Sequence, residues 1–274
     1  MKERIQKILA NAGVDSRRNI EEMVRQGRIS VNGKTMIDLP IMVDPEKDRI
    51  EIDDQPLRLR PQKSDKRYYI LMNKPKGVYC TNVAQGEQRL AIDLLPPDFR
   101  TRVYPVGRLD AESKGLLLLT NDGDLTNRLT HPKYGVSKTY RAFVDGYVKP
   151  ETVQSLSKGI WLADRRSGQG FKTAHSQIRL VKRSRDKSLL EITLREGRNR
   201  QVRRMLAQLG HKVRELTRIR FGPLTLDGLN PGQSRLLLPK ELASLRRAAN
   251  PPASPDSPAS DRPVNRPVKR QKET

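Results

Sequence analysis

Cysteine is almost absent from this 274-residue sequence. The single thiol, Cys80, cannot close an internal disulfide, which fits a reducing, cytoplasmic setting. Histidine is nearly as scarce. His131, His175 and His211 lie far apart with no ligand spacing between them, so no metal site is expected. Aromatic residues make up only 4% and hydrophobic residues 35%, a lean supply that still allows a packed core. Apolar runs such as Leu116 to Leu119 fall far short of the ~20 residues that a membrane span needs, so no membrane partner is expected. The charged start Met1-Lys2-Glu3-Arg4 leads into a mixed amphipathic stretch, and no secretory leader is expected there.

Acidic residues are in deficit: 31 Asp and Glu stand against 54 Lys and Arg, a formal net charge of +23. A chain this basic should bind polyanions, nucleic acid first. The charge is unevenly placed. Residues 1–60 hold 12 basic and 11 acidic residues, whereas residues 61–247 hold 37 and 17, a net of +20. The phosphate-binding surface is therefore expected on the central body. The segment 248–274 carries six prolines among Ser and Asp with little to bury, and is expected to be a disordered tail. The polar stretch from Pro56 to Lys66 reads as a linker, placing a linker at 61–67 between a module, 1–60, and a larger domain, 68–247.

In the module, Ile5, Ile8, Leu9 and Ala12 recur at helical spacing and Gly13 closes that helix. Asp15 or Ser16 can cap a second helix carrying Ile20, Met23 and Val24. Residues 28–31 alternate as a strand, and Asn32-Gly33 is a strong hairpin signal because a type I′ turn needs positive φ at both positions. Arg17, Arg18, Arg25, Arg28 and Lys34 gather around this helix–hairpin junction. A basic face on a nearly neutral module suggests RNA docking. The run from Leu9 to Arg18 and that from Gly27 to Lys34 resemble the S4 RNA-binding module. The resemblance implies that the second helix and hairpin, with Arg17, Arg18, Arg28, Asn32 and Lys34, form its RNA-contacting surface.

In the larger domain, Tyr69 to Met72 reads as a buried strand followed by the turn signal Asn73-Lys74-Pro75-Lys76-Gly77. Asp110, in Gly107-Arg108-Leu109-Asp110, falls in a loop before the core strand Gly115 to Thr120. It is a turn residue or a partly desolvated carboxylate beside Arg108, and an aspartate can serve as a covalent nucleophile. Residues 138–144 alternate as a strand with Tyr140, Ala142 and Val144 on one face. Val202, Met205, Leu206 and Leu209 mark the buried stripe of a helix. Extended back to Arg198, that phase turns Arg198 inward, toward an anion such as Asp110, and turns Arg200 and Arg204 outward, toward phosphates.

These segments resemble the pseudouridine synthases, specifically the ribosomal-RNA branch that joins an S4 module to the catalytic domain. The match is carried by Lys74-Pro75-Lys76-Gly77, Gly107 to Asp110, Gly115 to Gly123, Lys138-Thr139-Tyr140 and Glu196 to Met205. Asn121 to Asp124 and His131 to Tyr134 favour the subgroup acting on the large-subunit (23S) RNA over the 16S type. Ser113 stands where the family usually has threonine. The resemblance implies an α+β fold: a small α/β module followed by a catalytic domain with a long, mostly antiparallel sheet. It implies that Asp110 attacks uridine, at sugar or base, so that uracil detaches, rotates and rejoins through C5. Tyr140 then stacks on the base and helps remove the C5 proton. Arg198, with Arg203 as rival, pairs with the aspartate. Arg108 fills the gap left by the flipped base, and Lys74, Arg200, Arg203 and Arg204 contact substrate. No cofactor and no metal are implied. The expected partner is ribosomal RNA or a pre-ribosomal particle, bound by a monomer. A non-catalytic RNA-binding assembly protein would be favoured by loss of Asp110, Tyr140 or Arg198, and all three are present. A methyltransferase would need a Gly-rich cofactor loop, and Gly168-Gln169-Gly170 lacks the third glycine.

Overall fold

The computed structural model describes residues 2–57, 66–83, 86–163 and 169–250. Two compact units emerge, Met1–Arg67 and Tyr68–Thr274.

The first unit opens on two short helices, α1 (Ile5–Asn11) and α2 (Arg17–Arg25). Ser16, not Asp15, is the N-cap of α2; its hydroxyl accepts from the Asn19 N–H. A four-stranded antiparallel sheet follows: β1 (Ile29–Val31), β2 (Lys34–Met36), β3 (Ile50–Ile52) and β4 (Gln55–Pro56), in the order β2-β1-β3-β4. Asn32 and Gly33 turn the β1–β2 hairpin with φ of 53° and 78°, as a type I′ turn requires. Ile5, Leu9, Ile20, Val24, Ile29 and Ile50 are fully buried together, so both helices lay their apolar stripes on one face of this sheet. Pro56 pairs with Glu51, which assigns it to the sheet and not to the linker. Leu57 also packs against the core of this unit, and residues 58–65 of the expected linker lie outside the described residues.

The second unit is built on one long sheet. Its strands are β5 (Tyr69–Lys74), β6 (Lys114–Thr120), β7 (Lys138–Asp145), β8 (Gln177–Arg183), β9 (Lys187–Leu194), β10 (Val213–Phe221) and β11 (Ser234–Leu236). Their order is β8-β9-β7-β10-β6-β5-β11, and Leu224–Thr225 and Tyr104–Pro105 add short strands to β10 and β6. Every pairing is antiparallel except β10 with β6. Helices α3 (Gly123–Thr130), α4 (Pro150–Lys158), α5 (Gln201–Gln208) and α6 (Pro239–Ala249) complete the unit. The expected mixed α+β fold with a large, mostly antiparallel sheet is thus present.

The four leucines of β6 explain how the sheet is covered. Leu116 and Leu118 join a core with Phe221 and Leu245, whereas Leu117 and Leu119 join a different core with Ile70 and Met72. A strand buried on both faces carries a continuous apolar run instead of alternating. A third core packs α4 and α5 against β7 and β9 through Leu156, Val202, Met205, Leu206, Ala142 and Ile192. Tyr140 packs against both this core and the one behind Leu117. The seam between those two cores is where the functional side chains gather.

Gly115 makes the parallel junction possible. A Cβ there would lie 2.3 Å from the Arg218 carbonyl oxygen, so only glycine lets β6 approach β10 this closely. The expected tail boundary at Ala248 is too early. Ala249 is fully buried in the α6 contact with the sheet, because the helix needs that last turn to cover Leu118 and Phe221. The rest of the expected tail, 251–274, lies outside the described residues.

Candidate active site

A cleft of about 680 Å³ opens at the seam in the second unit. Asp110, Arg108, Tyr140, Lys138, Arg198 and Arg200 all contribute to its wall. Asp110 is held by its backbone: its carbonyl accepts from the Ser113 N–H, and the next carbonyl, of Ala111, accepts from the Gly77 N–H. Leu109 anchors the loop in the core, which leaves the Asp110 carboxylate about one-third exposed at the cleft. Tyr140 lies opposite Ile192 on one side and Arg218 on the other. Among the described residues nothing hydrogen-bonds its hydroxyl, so that group is available to a ligand. Cys80 also lines the wall, but burial pushes its thiol pKa up and keeps it protonated.

The expected pairing of Arg198 with Asp110 is not found. Helix α5 begins only at Gln201, and Arg200 before it is left-handed with φ of 48°. The helical phase therefore cannot be carried back to Arg198. Arg198 instead lies 4.0 Å over the Phe171 ring and 3.4 Å from Glu196. The left-handed kink swings Arg200 inward: its Nη1 is 3.6 Å from Asp110 Oδ2 and its Nη2 donates to Glu112 Oε2 at 3.0 Å. That contact holds the Glu112 carboxyl below its ordinary range. Arg200 is thus the cation beside Asp110, not an outward phosphate clamp. The rival, Arg203, donates to the carbonyls of Val213 and Glu112 and lies 4.0 Å from the Glu112 carboxylate.

Two further expectations of substrate contact are corrected. Lys74 is fully buried, with Nζ donating to the carbonyls of Pro75 and Val78, so it ties the turn after β5 together and does not reach the cleft. Arg204 lies across Phe171 and donates to the Ala163 carbonyl, because its turn of α5 faces the short strand Trp161–Ala163. Arg108 is exposed at the cleft.

Lys138 and Arg218 form the floor and carry charge into the interior. Lys138 is 8% exposed and donates to the Val136 carbonyl, while Arg218 is 1% exposed. Both lie over the Phe221 ring, at 5.5 and 5.1 Å. Burial first, then the charge of Arg218, pulls the Lys138 pKa from 10.5 to about 8. The sign follows from linkage. The folded protein bears the full cost of a buried ammonium below pH 8, and that cost fades as the pH rises from 8 toward 10.5. A shift of this size corresponds to about 3 kcal/mol. Lys138→Met is expected to raise the melting temperature at pH 7 and to lose that advantage by pH 10, which paired melting curves across this range would reveal. Arg218 was missed in the sequence, although it stands two residues after buried Leu216 on an alternating strand, the signal of an inward side chain.

In the first unit, the five expected RNA contacts divide. Arg28 forms a two-pronged ion pair with Asp53 at 2.7 and 2.6 Å. Asn32 ties its turn to Asp48 and Arg49. Both have structural partners. Arg17, Arg18 and Lys34 are exposed, with no partner among the described residues. No group of His, Cys, Asp and Glu that could hold a metal is found among the described residues.

The chain thus joins a small, nearly neutral module to a larger unit whose long sheet carries a charged cleft, and the family models say which class of enzyme this is. The family model for RNA pseudouridylate synthase matches residues 68–208, and the S4 domain model matches residues 3–36. The chain belongs to the RNA pseudouridine synthase family, and it is an RNA pseudouridine synthase with an S4 domain.

Its relatives narrow the comparison. An uncharacterized RNA pseudouridine synthase of Aquifex aeolicus is 43% identical over 90% of this chain and 95% of its own length. Ribosomal large subunit pseudouridine synthase B of Bacillus subtilis is 39% identical over 90% of this chain and 97% of its own length. A crystal structure of a pseudouridylate synthase superposes with a TM-score of 0.63 at 28% identity, covering 88% of this chain and 99% of the other.

Proposed function

We propose that the protein isomerises uridine to pseudouridine in 23S ribosomal RNA, with Asp110 as the nucleophile toward a uridine flipped into the cleft. The observation that carries this reading is the Asp110 carboxylate at the cleft wall, with Arg200 at 3.6 Å and Tyr140 on the same wall. Arg200 holds the carboxylate in place at the cleft wall through this ion pair. Asp110 bonds to the nucleotide, the C1′–N1 bond breaks, the ring turns, and C5 bonds to C1′ as the bond to Asp110 is released; Tyr140 assists loss of the C5 proton while N1 takes one up. Substrate and product are isomers, so the reaction needs no cosubstrate. Extracting the base costs a few kcal/mol, which phosphate contacts on the basic body offset. The large-subunit preference is supported by the name of the Bacillus subtilis relative. The partner is ribosomal RNA, free or in a pre-ribosomal particle, met in the cytoplasm by a monomer; no described helix is long and apolar enough to cross a membrane.

Tritium release from 23S and 16S transcripts carrying [5-³H]uridine tests this reading. Release from the 23S transcript alone is expected. Release from 16S alone would overturn the large-subunit assignment, and release from neither would overturn both.

Of the expected module contacts, Arg17, Arg18 and Lys34 are free to meet phosphate. Replacing all three with alanine should weaken binding and flatten the plot of log affinity against log salt by about one unit per lost contact. Filter binding at several salt concentrations checks it, and an unchanged slope would take these residues off the interface.

A further inference from the structure

Four buried side-chain polar atoms among the described residues have no hydrogen-bond partner: Gln6 Oε1, Ser113 Oγ, Arg203 Nε and Arg218 Nη2. Gln6 belongs to the first unit, and Arg203 Nε faces Glu112 Oε2 at 4.0 Å. The other two residues, Ser113 and Arg218, both form part of the cleft wall. They are 2% and 1% exposed. They are also neighbours by topology, since Arg218 pairs with Gly115 across the parallel junction and Ser113 stands two residues before that glycine.

Neither group is explained by the fold alone. Arg218 uses Nε to donate to the Leu116 carbonyl, and no acidic side chain pairs with its guanidinium among the described residues. A buried cation lacking an anion is costly, and so is a buried hydroxyl lacking a partner. Such groups persist where something outside the resting structure satisfies them.

We infer that Arg218 and Ser113 are substrate-contacting residues that grip a carbonyl oxygen of the flipped uracil ring. This rests on the reading of the cleft as the uridine site. Uracil presents two carbonyl acceptors, and a guanidinium offers only donors. When C1′–N1 breaks, its electron pair passes into the pyrimidine and its oxygens share the negative charge. A fixed cation and hydroxyl at an oxygen then bind the detached ring more tightly than the intact nucleoside, which accelerates the step. The same grip keeps the detached ring in the cleft while it turns. Tyr140, directly opposite Arg218 across β7 and β10, lies beside the same ring.

The test compares Arg218→Met, Arg218→Lys, Ser113→Ala and Asp110→Asn with wild type. Each is examined by thermal melting, by affinity for an equimolar mixture of 23S and 16S transcripts, and by single-turnover tritium release from that mixture. Arg218→Met and Ser113→Ala should melt at or above the wild-type temperature and bind the transcripts normally. Arg218→Met should slow isomerisation by about 10²- to 10³-fold, in the range for removing a donor to a developing oxyanion, and Ser113→Ala by a smaller factor of about tenfold. Arg218→Lys should fall between wild type and Arg218→Met. The inference is overturned if Arg218→Met turns over within about threefold of wild type. It is equally overturned if both Arg218 variants unfold under assay conditions, for the guanidinium would then serve the fold. Asp110→Asn separates the two failures: turnover in that variant removes the cleft reading itself, whereas a dead Asp110→Asn beside an active Arg218→Met removes only this inference.

Discussion

Asp110→Asn is expected to abolish isomerisation while leaving RNA binding and melting temperature near wild type. Asparagine has almost the same shape, so the loop held by the Ser113 and Gly77 N–H groups should not change. Its amide is a very poor nucleophile, and the neighbouring carboxylates are already engaged: Glu112 by Arg200 at 3.0 Å, and Glu196, on the cleft wall, by Arg198 at 3.4 Å. The lost contact with Arg200 is a partly exposed ion pair at 3.6 Å, worth no more than about 1 kcal/mol. Single-turnover tritium release together with an affinity measurement checks both halves. Turnover within about tenfold of wild type would be incompatible with nucleophilic catalysis by Asp110.

The next largest effect is expected for Tyr140→Phe. The phenyl ring retains the packing of Tyr140 against the cores behind Ala142 and Leu117, so the fold should survive. What disappears is the one hydroxyl on β7 that is free for the substrate. If that hydroxyl handles the C5 proton, the rate should fall by about 10²- to 10⁴-fold, the usual span for a lost acid–base group. The reaction should stall after Asp110 has engaged the nucleotide, so a denaturation-resistant complex of protein and RNA should accumulate on gels. Full activity in the phenylalanine variant would reduce Tyr140 to a packing residue.

Local signals in the sequence correspond closely to the local structure. Ser16 followed by an apolar stripe is a cap and a helix, Asn32-Gly33 is a tight hairpin, and the leucines at 116–119 form a strand buried on both faces. Each depends on neighbours within a few residues. What was illegible depends on distant partners or on one backbone angle. The positive φ of Arg200 shifts the start of α5 and exchanges the roles of Arg198 and Arg200, and no side-chain periodicity reports such an angle in a non-glycine residue. Arg28 looked like an RNA contact because Asp53, 25 residues away, could not be placed beside it. Lys74 lies in a motif shared with the family, yet its ammonium is enclosed by the turn that follows it. Arg218 owes its place at the cleft to the parallel pairing of β10 with β6, a partner far away in sequence.

The central claim joins one carboxylate to one RNA modification. Its most direct measurement is pseudouridine mapping of ribosomal RNA from cells lacking the protein, complemented by either the wild-type chain or Asp110→Asn. Loss of a pseudouridine in 23S RNA, restored by wild type and not by Asp110→Asn, is the expected result. A site restored by Asp110→Asn, or a 23S modification pattern unchanged by the deletion, would contradict it.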